Sequence, residues 1–148
     1  MTKSESNRLI WKGYFQWLLL QLKFANEGWT RWVDFYDLLK ELVLNNEGAE
    51  VAKEFNSATT LRSEMWREIQ SDTEWVEAHG WPISKNGTGI KLTNDIKEVK
   101  EFVAGEFSRA MSVLTKVSIF KKYLHQEHLN NDFYQVLEIA ERSENGSN

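Results

Sequence analysis

The chain has 148 residues, a net charge of −4, no Cys and a hydrophobic fraction of 41%. This length suits one domain, residues 1–148, and the apolar content argues against global disorder. The absence of Cys excludes disulfides, a thiolate nucleophile and a cysteine-based zinc site. Near the N-terminus the longest apolar run, residues 17–20, is too short for a secretory signal or a membrane span. We therefore expect a cytoplasmic protein with no membrane partner.

The charge is spread along the chain without a basic arm. Formal net charges are +1 for residues 1–46, −3 for residues 47–93 and −2 for residues 94–148. The charge distribution therefore does not by itself indicate a strongly basic nucleic-acid-binding protein.

Two helices are predicted in the first third of the chain. Residues 7–24 have helical apolar spacing with extra apolar residues around it, which indicates a helix packed from more than one side. A second helix is predicted to start with Thr30 as its N-cap. Its apolar stripe consists of Trp32, Phe35, Tyr36, Leu39, Leu42 and Val43.

A helix pair and a hairpin are predicted next. A short helix over residues 49–55, a brief turn and a helix over residues 59–70 have the order of a helix-turn-helix. Residues 81–84 and 90–93 flank KNGTG, whose Asn and Gly residues suit a tight turn, so they predict a β-hairpin. Pro82 fits there because an edge strand need not donate every hydrogen bond. We expect this hairpin to be the only sheet.

The run HGWPISKNGTGIKLTNDIKEVKEF, residues 79–102, resembles the winged-helix segment of small bacteriophage early-region proteins. The resemblance covers roughly residues 30–124, and Arg109 fits the long helix that follows the hairpin. In similar sequences the recognition helix reaches the wing sooner, whereas residues 70–79 lengthen this connection. The match is carried by Gly80, Trp81, Pro82, Ile83, Gly89 and Ile90. It implies a mainly α fold: a winged helix-turn-helix over residues 30–93 with one β-hairpin, extended by N-terminal and long C-terminal helices.

The C-terminal region, residues 94–142, is predicted to contain a long helix capped by Thr93 or Asn94 and a final helix over residues 132–142. Apolar residues recur in the long helix at steps of three and four, close to a coiled-coil seam. We expect this seam to form a homodimer through Val103, Phe107, Ala110, Leu114 and Val117.

The nucleic-acid candidates lie on the predicted recognition helix and on the wing. Hydroxyl groups can bind phosphate and Arg can read guanine, but Glu64 and Glu68 leave residues 59–70 with no net charge. The candidates are Thr59, Thr60, Arg62, Ser63, Arg67, Lys85, Asn86 and Lys91.

No catalytic constellation is recognisable, so we expect neither an enzyme nor a bound cofactor. His125 and His128 stand three residues apart, but this spacing is not that of a zinc-protease motif and no metal site is predicted. His79, before Gly80, is interpreted as the last residue of a helix.

Two functions remain open. The first is a phage-type winged-helix protein that binds double-stranded DNA in regulation or replication. The second is a non-enzymatic protein-interaction module that binds and inhibits a host protein, as a host-takeover or anti-defence factor. Clustering of the basic candidates on one face would favour DNA, and their dispersal among acidic residues would favour a protein partner.

Overall fold

The computed structural model describes residues 1–25, 29–85 and 89–126, together with residue 139. Internal contacts divide the chain into two units, residues 1–102 and residues 103–148. The described part is mainly helical with one small antiparallel sheet, as the sequence predicted for the fold class. Its elements are α1 (Lys3–Ala25), β1 (Thr30–Arg31), α2 (Trp32–Glu47), α3 (Ala49–Ala52), α4 (Ala58–Ser71), α5 (Thr73–His79), β2 (Trp81–Lys85), β3 (Gly89–Thr93) and α6 (Ile96–Gln126).

The predicted hairpin is present, with Trp81 opposite Thr93 and Ser84 opposite Ile90. The prediction that the sheet consists of the hairpin alone is wrong. A third strand, β1, pairs with β3 and places Thr30 opposite Ile90. The strand order β1-β3-β2 makes β2 an edge strand, which agrees with the position of Pro82.

The strand β1 also corrects the predicted N-cap of α2. Thr30 lies in the sheet, and the extended residue Arg31, with φ −66° and ψ 144°, precedes the helix without a side-chain cap. Arg31 instead donates to both carboxylate oxygens of Asp34, at 2.9 and 3.2 Å. A two-residue strand is too short to show an alternating pattern, so the sequence offered only the preference of Thr for N-cap positions.

The first unit is built around an aromatic core. Trp11 is fully buried, donates from Nε1 to the carbonyl oxygen of Val51 at 2.7 Å and meets Phe55 edge-on at 5.3 Å between ring centres. The hydroxyl group of Tyr36 donates to the carbonyl oxygen of Phe55 at 3.0 Å. These contacts fix α1 on α3 and α2 on the α3–α4 connection, and they satisfy backbone oxygens that would otherwise be costly to bury.

The helix-turn-helix region is shorter at its first helix than predicted. Helix α3 ends at Ala52, and residues 53–57 lead to α4. Ser57 caps α4 by accepting a hydrogen bond from the backbone N–H of Thr60 at 3.1 Å. Ala52, Phe55, Leu61 and Met65 of this region are buried in the core, and Val51 is half-buried.

The segment between α4 and the hairpin forms a helix of its own. Asp72 is the N-cap of α5 and accepts from the backbone N–H of Trp75 at 3.3 Å. The helix ends at His79, as expected from Gly80, whose φ is +125°. This extra helix occupies most of the predicted lengthening before the wing.

Helix α6 starts at Ile96, so neither predicted cap, Thr93 or Asn94, directly precedes it. Asp95 Oδ1 accepts from the backbone N–H of Lys97 at 2.9 Å, and Thr93 Oγ1 accepts from the backbone N–H of Asp95 at 3.0 Å. Thr93 therefore supports the entry to the helix but does not cap it. The final helix predicted over residues 132–142 lies outside the described residues.

Candidate interaction surfaces

Helix α4 carries five of the nucleic-acid candidates, and several already have local contacts. Thr60 Oγ1 lies 2.9 Å from Ser57 Oγ, and Ser63 Oγ donates to the carbonyl oxygen of Thr60 at 3.2 Å. Thr59 is exposed on the first turn. Two of the three hydroxyl groups are thus engaged within the helix, which reduces what they offer to phosphate.

The two arginines of α4 point in different directions. Arg62 and Arg67 are five residues apart, which places them about 140° apart around an α-helix. The guanidinium group of Arg62 lies 5.8 Å from the centre of the Trp32 ring, at the border of the core. The structure therefore does not gather these two side chains on one face.

The acidic residues of α4 are paired with a residue of α1. Arg8 Nη1 donates to Glu64 Oε2 at 2.7 Å, and Arg8 Nη2 lies 3.8 Å from Glu68 Oε2. The guanidinium group thus offsets part of the negative charge that opposes DNA binding by this helix.

The nucleic-acid candidates of the wing, Lys85, Asn86 and Lys91, differ in their surroundings. Lys91 on β3 donates to both carboxylate oxygens of Glu98 at 3.0 Å and lies 5.7 Å from the centre of the Trp29 ring. Lys85 is exposed at the end of β2. Asn86 lies outside the described residues.

The predicted dimerisation seam is solvent-exposed along α6. Exposed fractions are 56% for Val103, 66% for Phe107, 58% for Leu114 and 40% for Val117, and Ala110 is exposed as well. Apolar side chains of this size are normally covered when they repeat along one helix. We call these five residues the α6 seam.

Further exposed apolar residues flank the α6 seam on both sides. At about 100° per residue, Met111 lies on one flank, and Val113 and Phe120 lie on the other. All three are also exposed. The apolar face is therefore wider than the narrow a/d seam of a two-stranded coiled coil.

A second apolar surface lies between α1 and α2, in a groove of about 530 Å³. Trp17 and Leu9 on its α1 side are 48% and 51% exposed. Helix α1 contacts α2, α4 and β3, which confirms the prediction that it is packed from more than one side, and some of its extra apolar residues line this open groove. We call this surface the α1–α2 groove; its lining residues are Leu9, Ile10, Gly13, Tyr14, Trp17, Leu42, Asn46 and Glu47.

One end of the α1–α2 groove is polar and acidic. The hydroxyl group of Tyr14 donates to Glu47 Oε1 at 2.8 Å, and this hydrogen bond, with desolvation, raises the pKa of Tyr14. Asn46 Nδ2 donates to the carbonyl oxygen of Leu42 at 2.8 Å. Among the described residues no Lys, Arg or His forms an ion pair with Glu47. The groove therefore presents an uncompensated carboxylate beside apolar walls.

The α1–α2 groove was not predicted from the sequence. Its signal was Gly13, a glycine in the middle of an apolar helix where it lowers helix stability. A Cβ atom added to Gly13 would meet nothing within 4 Å. The glycine thus keeps the floor of the groove open.

The described residues contain no cluster of three or more His, Asp or Glu side chains that could hold a metal ion. His128 lies outside this part of the chain, as does the side chain of His125. No helix in the ranges 1–25, 29–85 and 89–126 is both long and apolar enough to cross a membrane.

Comparisons with known proteins gave no relatives. No protein-family model matches the chain, and neither a curated protein nor a solved structure matches it.

Proposed function

We propose that this chain is a non-enzymatic protein-interaction module whose binding element is the apolar face of α6. The observation that carries the proposal is the exposure of Phe107 and Leu114, at 66% and 58%, inside a regular apolar repeat. Covering such a face removes apolar surface from water, which at roughly 25 cal/mol per Å² is the main driving force for association.

The partner of this face is a second copy of the chain. The α6 seam follows alternating steps of four and three residues from Val103 to Val117, which is the spacing of helices that pack against other helices. Most soluble oligomers are also homo-oligomers.

Leu114→Glu tests this function, because it places a charge in the centre of the α6 seam. Leu114 is exposed in the single chain, so the substitution should leave the helix folded, which circular dichroism would verify. Ser112→Glu is the matched control, since residue 112 lies about 160° around the helix from residue 114.

Sedimentation equilibrium of these proteins gives the readout. The wild type and Ser112→Glu should self-associate at micromolar concentrations, and Leu114→Glu should be a monomer. A wild-type mass that equals one chain and does not change with concentration would contradict the proposal.

DNA binding by α4 and the hairpin is the second candidate function. One observation favours it: Arg8 pairs with Glu64 and Glu68, so the surface of α4 is more positive in the folded protein than the zero net charge of its own residues indicates. The order of helices followed by a hairpin also agrees with the winged-helix resemblance. Against it, Lys91 is held by Glu98, and Arg62 and Arg67 point in different directions.

A further inference from the structure

Two apolar surfaces of the described chain are uncovered: the face of α6 and the α1–α2 groove. The groove lies in the first unit and the exposed α6 face in the second. The following inference rests on the proposed function, because it concerns the surface that receives α6 in a second copy.

The width of the α6 face calls for two neighbours. With Met111 on one flank and Val113 and Phe120 on the other, a single partner helix would leave apolar surface in water. A groove between two helices contacts a docked helix on both flanks, as in helix-in-groove recognition.

Charge favours the groove over a second α6. Residues 103–126 contain four basic residues and one acidic residue, so their net charge is +3. Two α6 helices side by side would bring like charges together, whereas the α2 wall of the groove, residues 32–47, has a net charge of −3, and three of the four basic residues of α1 form ion pairs with residues outside the groove. On that wall, Glu47 is the carboxylate at the end of the apolar groove.

The lengths of the two surfaces agree. Phe107 and Leu114 are seven residues apart, about 10 Å along a helix. Leu9, Gly13 and Trp17 form a stripe on α1 with steps of four residues, about 12 Å long. Gly13, at the centre of the stripe, leaves room for a side chain of the docked helix.

We propose that the α1–α2 groove of one copy receives the α6 apolar face of a second copy, with Lys121 and Lys122, at the C-terminal end of that face, near Glu47. The contact joins two different surfaces of the same chain, so it can form reciprocally in a two-fold dimer or head to tail along several copies. Gly13 is the position at which the groove can be closed without touching the buried core.

Gly13→Leu fills the groove and favours the helical conformation, so loss of association would not reflect loss of folding. Gly105→Leu is the matched control: Gly105 is also an exposed helical glycine with open space around it, and it lies on the side of α6 opposite the seam. Circular dichroism and thermal melting check the fold of both variants.

The dissociation constant for self-association is measured by sedimentation for the full-length wild type and each variant. We expect Gly13→Leu to raise it by at least about tenfold, and Gly105→Leu to leave it unchanged. Glu47→Lys should also raise it, because it replaces the attractive charge with a repulsive one. If Gly13→Leu associates as strongly as the wild type, the groove is not the receiving surface, and the proposed function of α6 is unaffected.

A mixing experiment separates the groove from a symmetric pairing of two α6 helices. Gly13→Leu has an intact α6 face and a closed groove. Leu114→Glu has an open groove and a charge in its α6 face. Each alone should be a monomer, and their equimolar mixture should form a one-to-one heterodimer through the single intact contact. If the mixture stays monomeric, the inference is wrong; if the wild type is itself monomeric, the proposed function fails as well.

Discussion

Arg8 on α1 donates a hydrogen bond from Nη1 to Glu64 Oε2 on α4 at 2.7 Å. The two residues are 56 positions apart in the sequence, so no local pattern connects them. Both side chains are partly exposed, and such an ion pair contributes about 0–1 kcal/mol to stability. Its larger consequence concerns charge, because it changes how much negative potential α4 presents to a polyanion.

The DNA-binding candidate predicts a salt effect for the two arginines of α4. Replacing Arg62 and Arg67 together by Ala should weaken binding to duplex DNA. Each phosphate contact that is lost should lower the slope of log K against log salt concentration by about one. Electrophoretic mobility shift or fluorescence anisotropy titrations at several salt concentrations measure this slope.

The matched control is the double variant Lys40→Ala and Lys53→Ala, which removes the same charge from α2 and from the turn after α3. It should change the slope less than the arginine variant does. Equal slopes for the wild type and the arginine variant would remove α4 from any DNA interface.

Two glycines should respond to Ala in opposite directions. Gly13→Ala should stabilise the protein by roughly 1 kcal/mol, because Ala favours the helix and its Cβ atom has free space. Gly80 has φ +125°, and a Cβ atom there would lie 2.7 Å from Asn94 Oδ1 and 3.2 Å from the carbonyl oxygen of Thr93. Gly80→Ala should therefore destabilise by more than about 1 kcal/mol.

Urea unfolding followed by circular dichroism measures both changes. A stabilising Gly80→Ala would mean that the end of α5 does not have the left-handed backbone described here. A destabilising Gly13→Ala would mean that the α1–α2 groove is filled in the isolated chain.

The N-cap of α4 predicts a local stability effect. Ser57→Ala removes the acceptor for the backbone N–H of Thr60 and should lower the free energy of unfolding by about 1 kcal/mol. Ser63→Ala is the control, because Ser63 Oγ donates to the carbonyl oxygen of Thr60 on the exposed side of the helix. Its effect on the free energy of unfolding should stay within about 0.5 kcal/mol. Chemical denaturation of the two variants compares them directly, and equal losses would contradict the capping role of Ser57.

Asp72 predicts a pH dependence of stability. Its pKa is lowered chiefly by a hydrogen bond from Lys12 on α1, and next by the backbone N–H of Trp75. Because the folded pKa lies below the unfolded value of about 3.9, the stabilising contribution is fully present above that value. It is lost as the pH falls through the folded pKa.

Asp72→Asn keeps an oxygen that can cap α5 but removes the titrating charge. The difference in unfolding free energy between the wild type and this variant should be constant near neutral pH and should shrink as the pH falls below about 4. Urea titrations across this pH range provide the measurement. A difference that does not change with pH would show that the Lys12–Asp72 contact adds nothing to stability.

Helical periodicity predicted most of the fold. The stripe of α2 from Trp32 to Val43 faces the core, and the hairpin forms with the expected register, because both depend on local patterns. The strand β1 was missed because its only partner, β3, lies far along the chain and two residues show no alternation. The end of helix α5 at His79 was predicted, but its start at Thr73 was not, because seven residues are too few for a clear stripe.

The candidate sites were predicted less completely. The α6 seam could be identified from its spacing alone, since a repeat on one helix needs no tertiary information. The α1–α2 groove needed the pairing of Tyr14 with Glu47, which are 33 positions apart. Similarly, the ion pairs Lys91–Glu98 and Arg8–Glu64 depend on packing. The charge that each surface presents therefore differs from the net charge counted over its own stretch of sequence.

The pairing of Thr30 with Ile90 also has a consequence for the order in which the chain folds. The two residues are 60 positions apart, so this contact closes a long loop, while the helices between them need only neighbouring residues. Helices α1 and α2 can therefore form while the chain is still being synthesised, but the edge of β1 stays without its partner until β3 has emerged. Truncation before residue 89 would leave the helical core without its closing strand, and nascent chains of that length should depend most on protection from aggregation.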